Sequence, residues 1–256
     1  MMTLVLKNVS YSFKNETKQK QKVISDLNIE VKKGEFVSVI GKSGTGKSTI
    51  LKLITGLLQP DEGQILINEK PITLGDVGYM PQRDLLLPWR TIRENIMIAS
   101  EIQKNVQITK EKARKWLDRV GLLDYENALP NQLSGGMKQR AAFLRALLTG
   151  KDLLLLDEPF GALDALTKKE MQSWLLSIWQ ELNKTVLFIT HDLEEACFLS
   201  DRILVLHPNK SVEEIYVNLK RPRELNMLHE KELITLRQSL EKKIAHEEIN
   251  VMDKIL

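Results

Sequence analysis

One glycine-rich octapeptide restricts the possible folds of this chain more than any other feature. It follows the apolar segment 37–40 and precedes a helical pattern from Thr49 to Leu58, so it joins a buried strand to a helix. Its glycines let the backbone curl until several N–H groups point at one anion, and the helix N-terminus adds partial positive charge. The segment fits G-x-x-x-x-G-K-[ST] and consists of Gly41, Lys42, Ser43, Gly44, Thr45, Gly46, Lys47 and Ser48.

This octapeptide, called the phosphate loop below, predicts a nucleotide site. Lys47 places a full positive charge at the β- and γ-phosphates of ATP, and the Ser48 hydroxyl is suited to ligate Mg²⁺. Thr49 completes the candidate ATP-binding set at the start of the helix. A chance glycine-rich turn is the competing interpretation, and the flanking strand and helix argue against it.

A second candidate site follows the apolar strand predicted over residues 153–156. Asp157 and Glu158 stand at its C-terminal end, which is where open α/β sheets bind ligands. Asp157 is positioned to hold Mg²⁺ through water, and Glu158 to orient or deprotonate an attacking water. Two acids after a strand are usually only a solvated strand end, but the phosphate loop favours the functional interpretation.

A third feature is the segment Leu133–Arg140, Leu-Ser-Gly-Gly-Met-Lys-Gln-Arg, called the signature segment below. Ser134 suits a helix N-cap. Gly135 and Gly136 leave backbone N–H groups uncovered at the helix start, which predicts a second anion site made without a lysine. By spacing alone, a simple capped helix explains the segment equally well.

With these three motifs in this order, the chain resembles the nucleotide-binding subunits of ABC transporters over roughly residues 3–220. The resemblance implies an α/β fold with a P-loop NTPase (RecA-like) core, a mostly parallel sheet, an N-terminal antiparallel β subdomain and an inserted α-helical signature lobe. It implies an ABC ATPase domain over 1–222, with 1–80 and 151–222 as catalytic core and 81–150 as Q-loop and signature lobe. Residues 223–256 are expected to form a helical tail.

The resemblance also implies roles for individual residues. Tyr11 would stack on adenine, and His191 would contact the γ-phosphate. Gln82 would sense Mg²⁺ and the attacking water. The expected Mg²⁺-binding residues are therefore Ser48, Gln82 and Asp157. The expected catalytic residues are Gln82, Glu158 and His191. The D-loop would be Ala162-Leu163-Asp164. The ATP of a partner subunit would be contacted in a head-to-tail homodimer by Ser134, Gly135, Gly136 and Met137.

Two sequence details are similar to those of one branch of the family, the importers for nitrate, sulfonates, taurine and related small solutes. Met137 stands where many members carry glutamine, and the segment after Gln82 runs into Leu-Pro-Trp. Five apolar residues, Leu85–Trp89, precede a capping box at Thr91 and Glu94, so we expect an apolar patch on a loop, which marks a partner site. The resemblance implies a membrane permease docking there, and a solute-binding protein outside the cytoplasm. Packing of Leu86 and Trp89 into the core is the alternative.

Composition narrows the location and the partners. The 256 residues are 43% hydrophobic, and the net charge of only +3 is too small to argue by itself for nucleic-acid binding. Without a secretory signal or a run of about 18 apolar residues, we expect the protein to stay in the cytoplasm. The family resemblance implies a peripheral position on the cytoplasmic side of the cell membrane. The single cysteine, Cys197, predicts a buried small side chain. The lysine-rich stretch Lys14–Lys22 predicts a solvated hairpin loop, with a lipid or nucleic-acid patch as the alternative.

Four other functions share parts of this pattern. ABC ATPases of translation or antibiotic resistance usually carry two cassettes, whereas one set of motifs is present here. Chromosome-maintenance ATPases carry a long heptad coiled coil between the phosphate loop and the signature segment, and no sustained heptads occur here. A nucleotide kinase lacks the signature segment, and a silent regulatory cassette lacks the acid at Glu158. Import rather than export rests on the branch resemblance and on the absence of fused membrane segments.

Overall fold

The computed structural model describes residues 2–14, 20–102, 108–161 and 163–252. Within them the chain forms ten strands: β1 Met2–Lys14, β2 Lys20–Lys32, β3 Phe36–Gly41, β4 Glu62–Ile67, β5 Lys70–Pro71, β6 Gly78–Met80, β7 Leu153–Asp157, β8 Thr185–Ile189, β9 Arg202–Leu206 and β10 Val212–Tyr216. The same residues form seven α-helices: α1 Lys47–Ile54, α2 Ile92–Ile102, α3 Lys110–Arg119, α4 Gly135–Leu147, α5 Ala165–Leu182, α6 Leu193–Leu199 and α7 Lys231–Met252. Short 3₁₀ turns lie at Leu123–Tyr125, Pro130–Gln132 and Leu225–His229.

A six-stranded sheet forms the centre of the molecule, in the order β10-β9-β3-β8-β7-β6. The five strands from β9 to β6 are parallel, and β10 pairs antiparallel with β9 at one edge. All residues of β7, β8 and β9 are buried, which explains their nearly continuous apolar sequences, since parallel sheets are covered on both faces. The mostly parallel sheet predicted from the sequence is confirmed.

A second, antiparallel sheet is built from the N-terminal strands in the order β2-β1-β4-β5. Alternate residues of β2 are buried, among them Leu27, Ile29 and Val31, as expected of a strand with one face on the core. These side chains share one apolar cluster with residues of α1, including Ile50 and Leu53. Helix α1 therefore packs between the two sheets, and this fixes the phosphate loop at its N-terminus.

The helical region between β6 and β7 contains α2, α3 and α4. The predicted capping box is confirmed, because the Thr91 amide donates to Glu94 Oε2 at 2.8 Å and the Glu94 amide donates to Thr91 Oγ1 at 3.3 Å. Helix α3 ends just before Gly121, whose φ of 65° is the left-handed conformation that glycine adopts easily. Helices α2 and α4 pack on each other and share the apolar cluster of the central sheet.

Several predicted boundaries are wrong. The loop expected over Lys14–Lys22 is shorter, because Lys14 pairs with Lys20 in the β1–β2 ladder; the rest of that prediction, residues 15–19, lies outside the described residues. The first helix spans Lys47–Ile54 rather than 49–58, since Gly56 takes a φ of 76° just after it. Strands β5, β6 and β10 are absent from the prediction.

The C-terminal residues pack onto the core. Leu228, Leu233 and Leu240 are buried in the main apolar cluster, and α7 contacts α6. Arg223 Nη1 donates to three carbonyl oxygens at the end of α6, those of Cys197, Phe198 and Ser200. No helix among the described residues combines the length and the apolar character needed to cross a membrane.

Cys197 lies inside α6 and has no exposed surface. Burial raises the pKa of its thiol to about 12, because the thiolate would lose its hydration there. The prediction of a buried, small side chain at this position is confirmed.

Candidate functional site

The phosphate loop connects β3 to α1 with a backbone that only glycine adopts easily. Gly46 is the N-cap of α1 with a φ of 102°, and no side chain caps that helix start. A Cβ atom on Gly46 would lie 2.6 Å from Ile24 Cδ1, and one on Gly41 would lie 2.6 Å from the Leu206 carbonyl oxygen. The helix N–H groups are therefore left for a ligand outside the chain.

Lys47 is the central cation of this loop. Its Nζ donates to the carbonyl oxygens of Gly41 at 2.6 Å and Lys42 at 2.9 Å. Burial lowers the pKa of Lys47, and the charges of Glu158 and Asp157 oppose that shift. Around it, Ser43, Gly44 and Ser48 are exposed, whereas Thr45 and Thr49 are buried. Lys47 is thus held by the loop and faces both carboxylates.

The two carboxylates at the end of β7 have different surroundings. Asp157 is 7% exposed, and its pKa is raised to about 6 by burial first and then by the Glu158 charge, against the opposing effects of Lys47 and Lys52. Glu158 follows in a left-handed conformation with φ of 47°, and its amide donates to the Ile189 carbonyl at 2.9 Å. This turn directs the Glu158 side chain away from the line of the strand.

Three separate chain segments meet at the Glu158 carboxylate. Gln82 Nε2 donates to Glu158 Oε2 at 3.0 Å, and His191 Nδ1 lies 3.4 Å from the same oxygen. Gln82 follows β6, Glu158 follows β7 and His191 follows β8, which are neighbouring parallel strands. The carboxyl ends of the sheet thus bring together the residues predicted for catalysis, as expected for an open parallel sheet.

The signature segment lies at the start of α4, in the helical region. The Ser134 hydroxyl accepts from the Met137 amide at 3.3 Å, which confirms the predicted N-cap. Ser134 and Gly135 are exposed, and Gly136 and Met137 are partly exposed. A Cβ atom on Gly136 would lie 3.1 Å from Leu163 Cδ2, so the start of α4 lies against the predicted D-loop.

Asp164 of the predicted D-loop is the N-cap of α5. Its Oδ1 accepts from the amides of Leu166 and Thr167 at 3.2 and 3.1 Å. Hydrogen bonds from Thr167 lower the pKa of Asp164, since they favour the charged carboxylate. Ala162, also assigned to the D-loop, lies outside the described residues.

Tyr11 belongs to β1, where it pairs with Ile24 of β2. It is partly buried, and its ring meets Phe13 edge-to-face with centroids 5.0 Å apart. Phe13 is 40% exposed. Stacking of Tyr11 on adenine stays a prediction.

The apolar loop Leu85–Trp89 lies outside helices and strands, as predicted, but it is not a continuous exposed patch. Leu86 is 7% exposed and belongs to the core, whereas Leu85 and Trp89 are 59% and 73% exposed. Leu85 has a φ of 44°, and this conformation separates its side chain from that of Leu86. The exposed apolar surface of this loop is therefore made by two large side chains, those of Leu85 and Trp89, and Leu86 anchors the loop between them.

Two polar residues that the motifs did not identify hold this loop in place. Arg145 of α4 donates to the carbonyl oxygens of Leu85 and Asp84, both at 2.6 Å. Asn95 of α2 is fully buried; it accepts from the Leu87 amide and donates to the Leu87 carbonyl. Only Asn95 carried a sequence signal, since it stands with Ile92, Ile96 and Ala99 on the apolar face of α2.

The residues predicted to bind Mg²⁺ fit a hard divalent cation. Asp157, Gln82 and the Ser48 hydroxyl offer oxygen ligands, the kind that Mg²⁺ prefers. Burial disfavours the charged form of Asp157 and raises the pKa of its carboxyl, and a nearby cation would offset that effect. The described residues contain no group of three or more His, Cys, Asp or Glu suited to a metal.

Residues 24–161 match the family model described as ABC transporter. The chain belongs to the ABC transporter family. As an ABC ATP-binding protein, it is an ATPase whose phosphate loop, acidic strand end and signature segment lie on one α/β cassette.

Relatives of this ABC protein cover nearly its whole length. The formylaminopyrimidine import ATP-binding protein ThiZ of Halalkalibacterium halodurans is 42% identical over 251 residues, covering 96% of this chain and 98% of that protein. The aliphatic sulfonates import ATP-binding protein SsuB of Bacillus cereus is 43% identical over 226 residues, covering 87% and 89%. The dimeric cassette MJ0796 in a post-hydrolysis state with ADP and Pi has a TM-score of 0.76 at 31% identity, covering 85% of this chain and all of that one.

Proposed function

We propose that this protein is the ATP-hydrolysing subunit of an ABC importer and drives uptake of a small solute through a separate membrane permease. The observation that carries the proposal is the position of the Glu158 carboxylate, which contacts Gln82 and His191 and lies in the field of Lys47. This arrangement supports a role for Glu158 as the base and for Lys47 as the phosphate-binding cation. It also supports Gln82 as the sensor of Mg²⁺ and the attacking water, and His191 as the residue that contacts the γ-phosphate.

In the proposed reaction, ATP binds with its phosphates on the N–H groups of the phosphate loop and on Lys47. Glu158 accepts a proton from the attacking water and is oriented by Gln82. His191, which is 69% exposed beside Glu158, contacts the γ-phosphate. Lys47 Nζ, which donates to the Gly41 and Lys42 carbonyls, would exchange these acceptors for phosphate oxygens bound at the same loop.

Mg²⁺ would be held by Ser48, Gln82 and Asp157, with Asp157 acting through water. When bound, the ion supplies charge neutralisation for the β- and γ-phosphate oxygens. The protein's own contribution is to keep the Asp157 carboxylate buried at the strand end, where its charge favours the cation.

The ATP-bound state is proposed to be a homodimer in which each signature segment contacts the partner's nucleotide. Ser134 and Gly135 are exposed at a helix start, and Gly136 lies near Leu163 next to the D-loop. A two-fold pair would use the same two surfaces on each subunit. Dimeric cassettes with 31% identity to this chain support this arrangement.

Leu85 and Trp89 are proposed to dock a cytoplasmic helix of the permease, because large exposed apolar side chains on an anchored loop suit helix recognition. The protein would then act at the cytoplasmic side of the membrane, with a solute-binding protein in the same system. The names of the relatives support small organic solutes such as sulfonates or formylaminopyrimidine, alongside the nitrate- and taurine-like solutes expected from the sequence.

A Glu158→Gln variant tests the proposal directly. Gln keeps the shape of the side chain but cannot accept a proton, so ATP binds and persists. We expect the variant to shift from monomer to dimer with ATP and Mg²⁺ but not with ADP, as measured by size-exclusion chromatography with light scattering.

Asp152→Asn is the matched control, since Asp152 is an acid just before the start of the same strand and has a 65% exposed side chain. It should hydrolyse ATP at the wild-type rate and form no lasting dimer. A Glu158→Gln variant that hydrolyses ATP at the wild-type rate would remove Glu158 from its role.

A further inference from the structure

A charged cluster lies directly behind His191, outside the residues assigned above. Lys168, in the first turn of α5, places its Nζ 2.5 Å from Asp192 Oδ2 and 2.7 Å from Glu195 Oε1. Glu195 also accepts from the Thr190 hydroxyl at 2.5 Å. One ammonium therefore links α5 to the residues on both sides of His191.

The hydrogen bonds of this cluster fix the backbone that carries His191. The Asp192 amide donates to Thr190 Oγ1 at 3.0 Å, so the two neighbours of His191 are joined to each other. Asp192 is also the N-cap of α6, where Oδ1 accepts from the Glu194 and Glu195 amides at 2.9 and 3.3 Å. The His191 imidazole itself is exposed, so its position depends on this backbone rather than on packing of the ring.

Lys168 is the cation that neutralises this cluster. The Glu195 side chain is only 5% exposed, and burial raises the pKa of its carboxyl. Burial lowers the pKa of Lys168, but hydrogen bonds to Asp192 and Glu195 raise it above its usual value. Without Lys168, two neighbouring carboxylates would face each other in a partly buried space, which is costly for both.

The start of α5 connects the same lysine to the D-loop. The Lys168 amide donates to the Asp164 carbonyl at 2.9 Å, and Asp164 caps the helix four residues earlier. Lys168 therefore joins two segments that follow different strands, the D-loop after β7 and the His191 segment after β8.

We infer that Lys168 is a positioning residue that holds His191 at the γ-phosphate of ATP by joining its backbone segment to the start of α5. The inference rests on the proposed role of His191. It assigns to Lys168 no contact with the nucleotide, because its Nζ is engaged by Asp192 and Glu195. Loss of Lys168 should therefore lower the catalytic rate more than the affinity for ATP.

The test is a double-mutant cycle on steady-state ATP hydrolysis by the full chain. Lys168→Met should lower kcat by on the order of tenfold with KM for ATP little changed, because a misplaced group costs rate. Lys168→Arg should restore much of the rate, since it keeps the cation. Lys169→Met, the next residue on α5, is the matched control and should keep the wild-type rate.

The decisive comparison is between His191→Ala and the double variant with Lys168→Met. If Lys168 acts through His191, the double variant is no slower than His191→Ala alone, whereas independent effects multiply. Multiplying effects overturn the inference, and so does a wild-type kcat in Lys168→Met. A slower His191→Ala variant confirms the role on which the inference rests; an unaffected one overturns that role, whatever Lys168→Met shows.

A double variant keeps the inference testable if Lys168→Met unfolds. Combining Lys168→Met with Glu195→Gln removes one of the two facing carboxylates, so this double variant should recover thermal stability. The His191 imidazole resonance, identified by its absence in His191→Ala, should still be shifted in this double variant and unchanged in Lys169→Met. An unshifted resonance in the folded double variant overturns the inference.

Discussion

The catalytic core and the helical region of this protein present their motifs in opposite ways. In the core, Lys47, Asp157 and Glu158 act on one another, and Gln82 and His191 contact Glu158. In the helical region, Ser134, Leu85 and Trp89 are exposed. The charged groups of the core are arranged within one chain, whereas the exposed groups of the helical region are suited to contacts with other chains.

Because of this difference, core residues can be tested in the isolated chain, whereas the exposed residues need the assembled complex. A change in the core should alter ATP chemistry in every state of the protein. A change at the exposed residues should leave the isolated chain folded and alter only its associations. Arg145 is the direct link between these exposed features, since it lies on the helix that starts at Ser134 and donates to the Leu85 and Asp84 carbonyls.

The largest effect is expected from Lys47→Ala. Loss of the charge at the β- and γ-phosphates should lower ATP turnover at least ~100-fold, the scale seen when one preorganised electrostatic group is removed. Steady-state ATPase assays of the isolated chain and of the assembled transporter should show the same loss. Lys33→Ala, which changes an exposed lysine before β3, is the control, and turnover in Lys47→Ala equal to that of this control would remove Lys47 from its role.

A smaller effect is expected from Trp89→Ala, and only in the complex. Because Trp89 is 73% exposed, its loss should leave the melting temperature of the isolated chain unchanged and weaken permease association by ~2 kcal/mol. Thermal unfolding measures the melting temperature, and a quantitative pull-down measures the association with the permease. The control is Ile102→Ala, which changes another apolar residue with 73% exposure and should alter neither the melting temperature nor permease association. A strongly destabilised Trp89→Ala chain would contradict the proposed docking role of Trp89.

The smallest effect is expected from Ser134→Ala. Loss of the N-cap of α4 should cost about 1 kcal/mol of stability, and in the Glu158→Gln background it should also weaken the ATP-bound dimer. Thr109→Ala removes the equivalent cap of α3, where Thr109 Oγ1 accepts from the Lys112 amide at 3.1 Å. Equal dimer affinity in the two variants, measured by light scattering against concentration, would contradict a role for Ser134 beyond capping.

The sequence predicted those parts of the fold that depend on local patterns. Strands β3, β7 and β8 are apolar runs ending at motifs, so the positions of the phosphate loop and of Asp157 and Glu158 at strand ends followed directly. The capping box at Thr91 and the N-cap at Ser134 were predicted for the same reason, since a cap depends on residues three apart. The roles of these residues in ATP hydrolysis remain predictions.

The parts that were missed depend on distant contacts. Strand β6 has only three residues, too few to show a periodic pattern in the sequence. It begins at Gly78, where a Cβ atom would lie 2.6 Å from Leu154 Cδ2. The strand is therefore recognisable only from its close packing against β7. Edge strand β10 contains two adjacent glutamates, is not buried, and depends on pairing with β9. Arg145 and Lys168 are ordinary charged helix residues in the sequence, and only the fold brings them to the Leu85 carbonyl and to Asp192.

The complete burial of Cys197 has a practical consequence for spectroscopy. Because it is the only cysteine of the chain and its thiol is shielded and protonated at neutral pH, reagents that label thiolates should not modify the native fold. New cysteines at exposed positions, such as Trp89 or Ser43, could then carry fluorophores or spin labels without first removing the natural one. Cys197 itself would become reactive only when α6 opens, so its labelling rate would report local unfolding of the helix that begins beside His191.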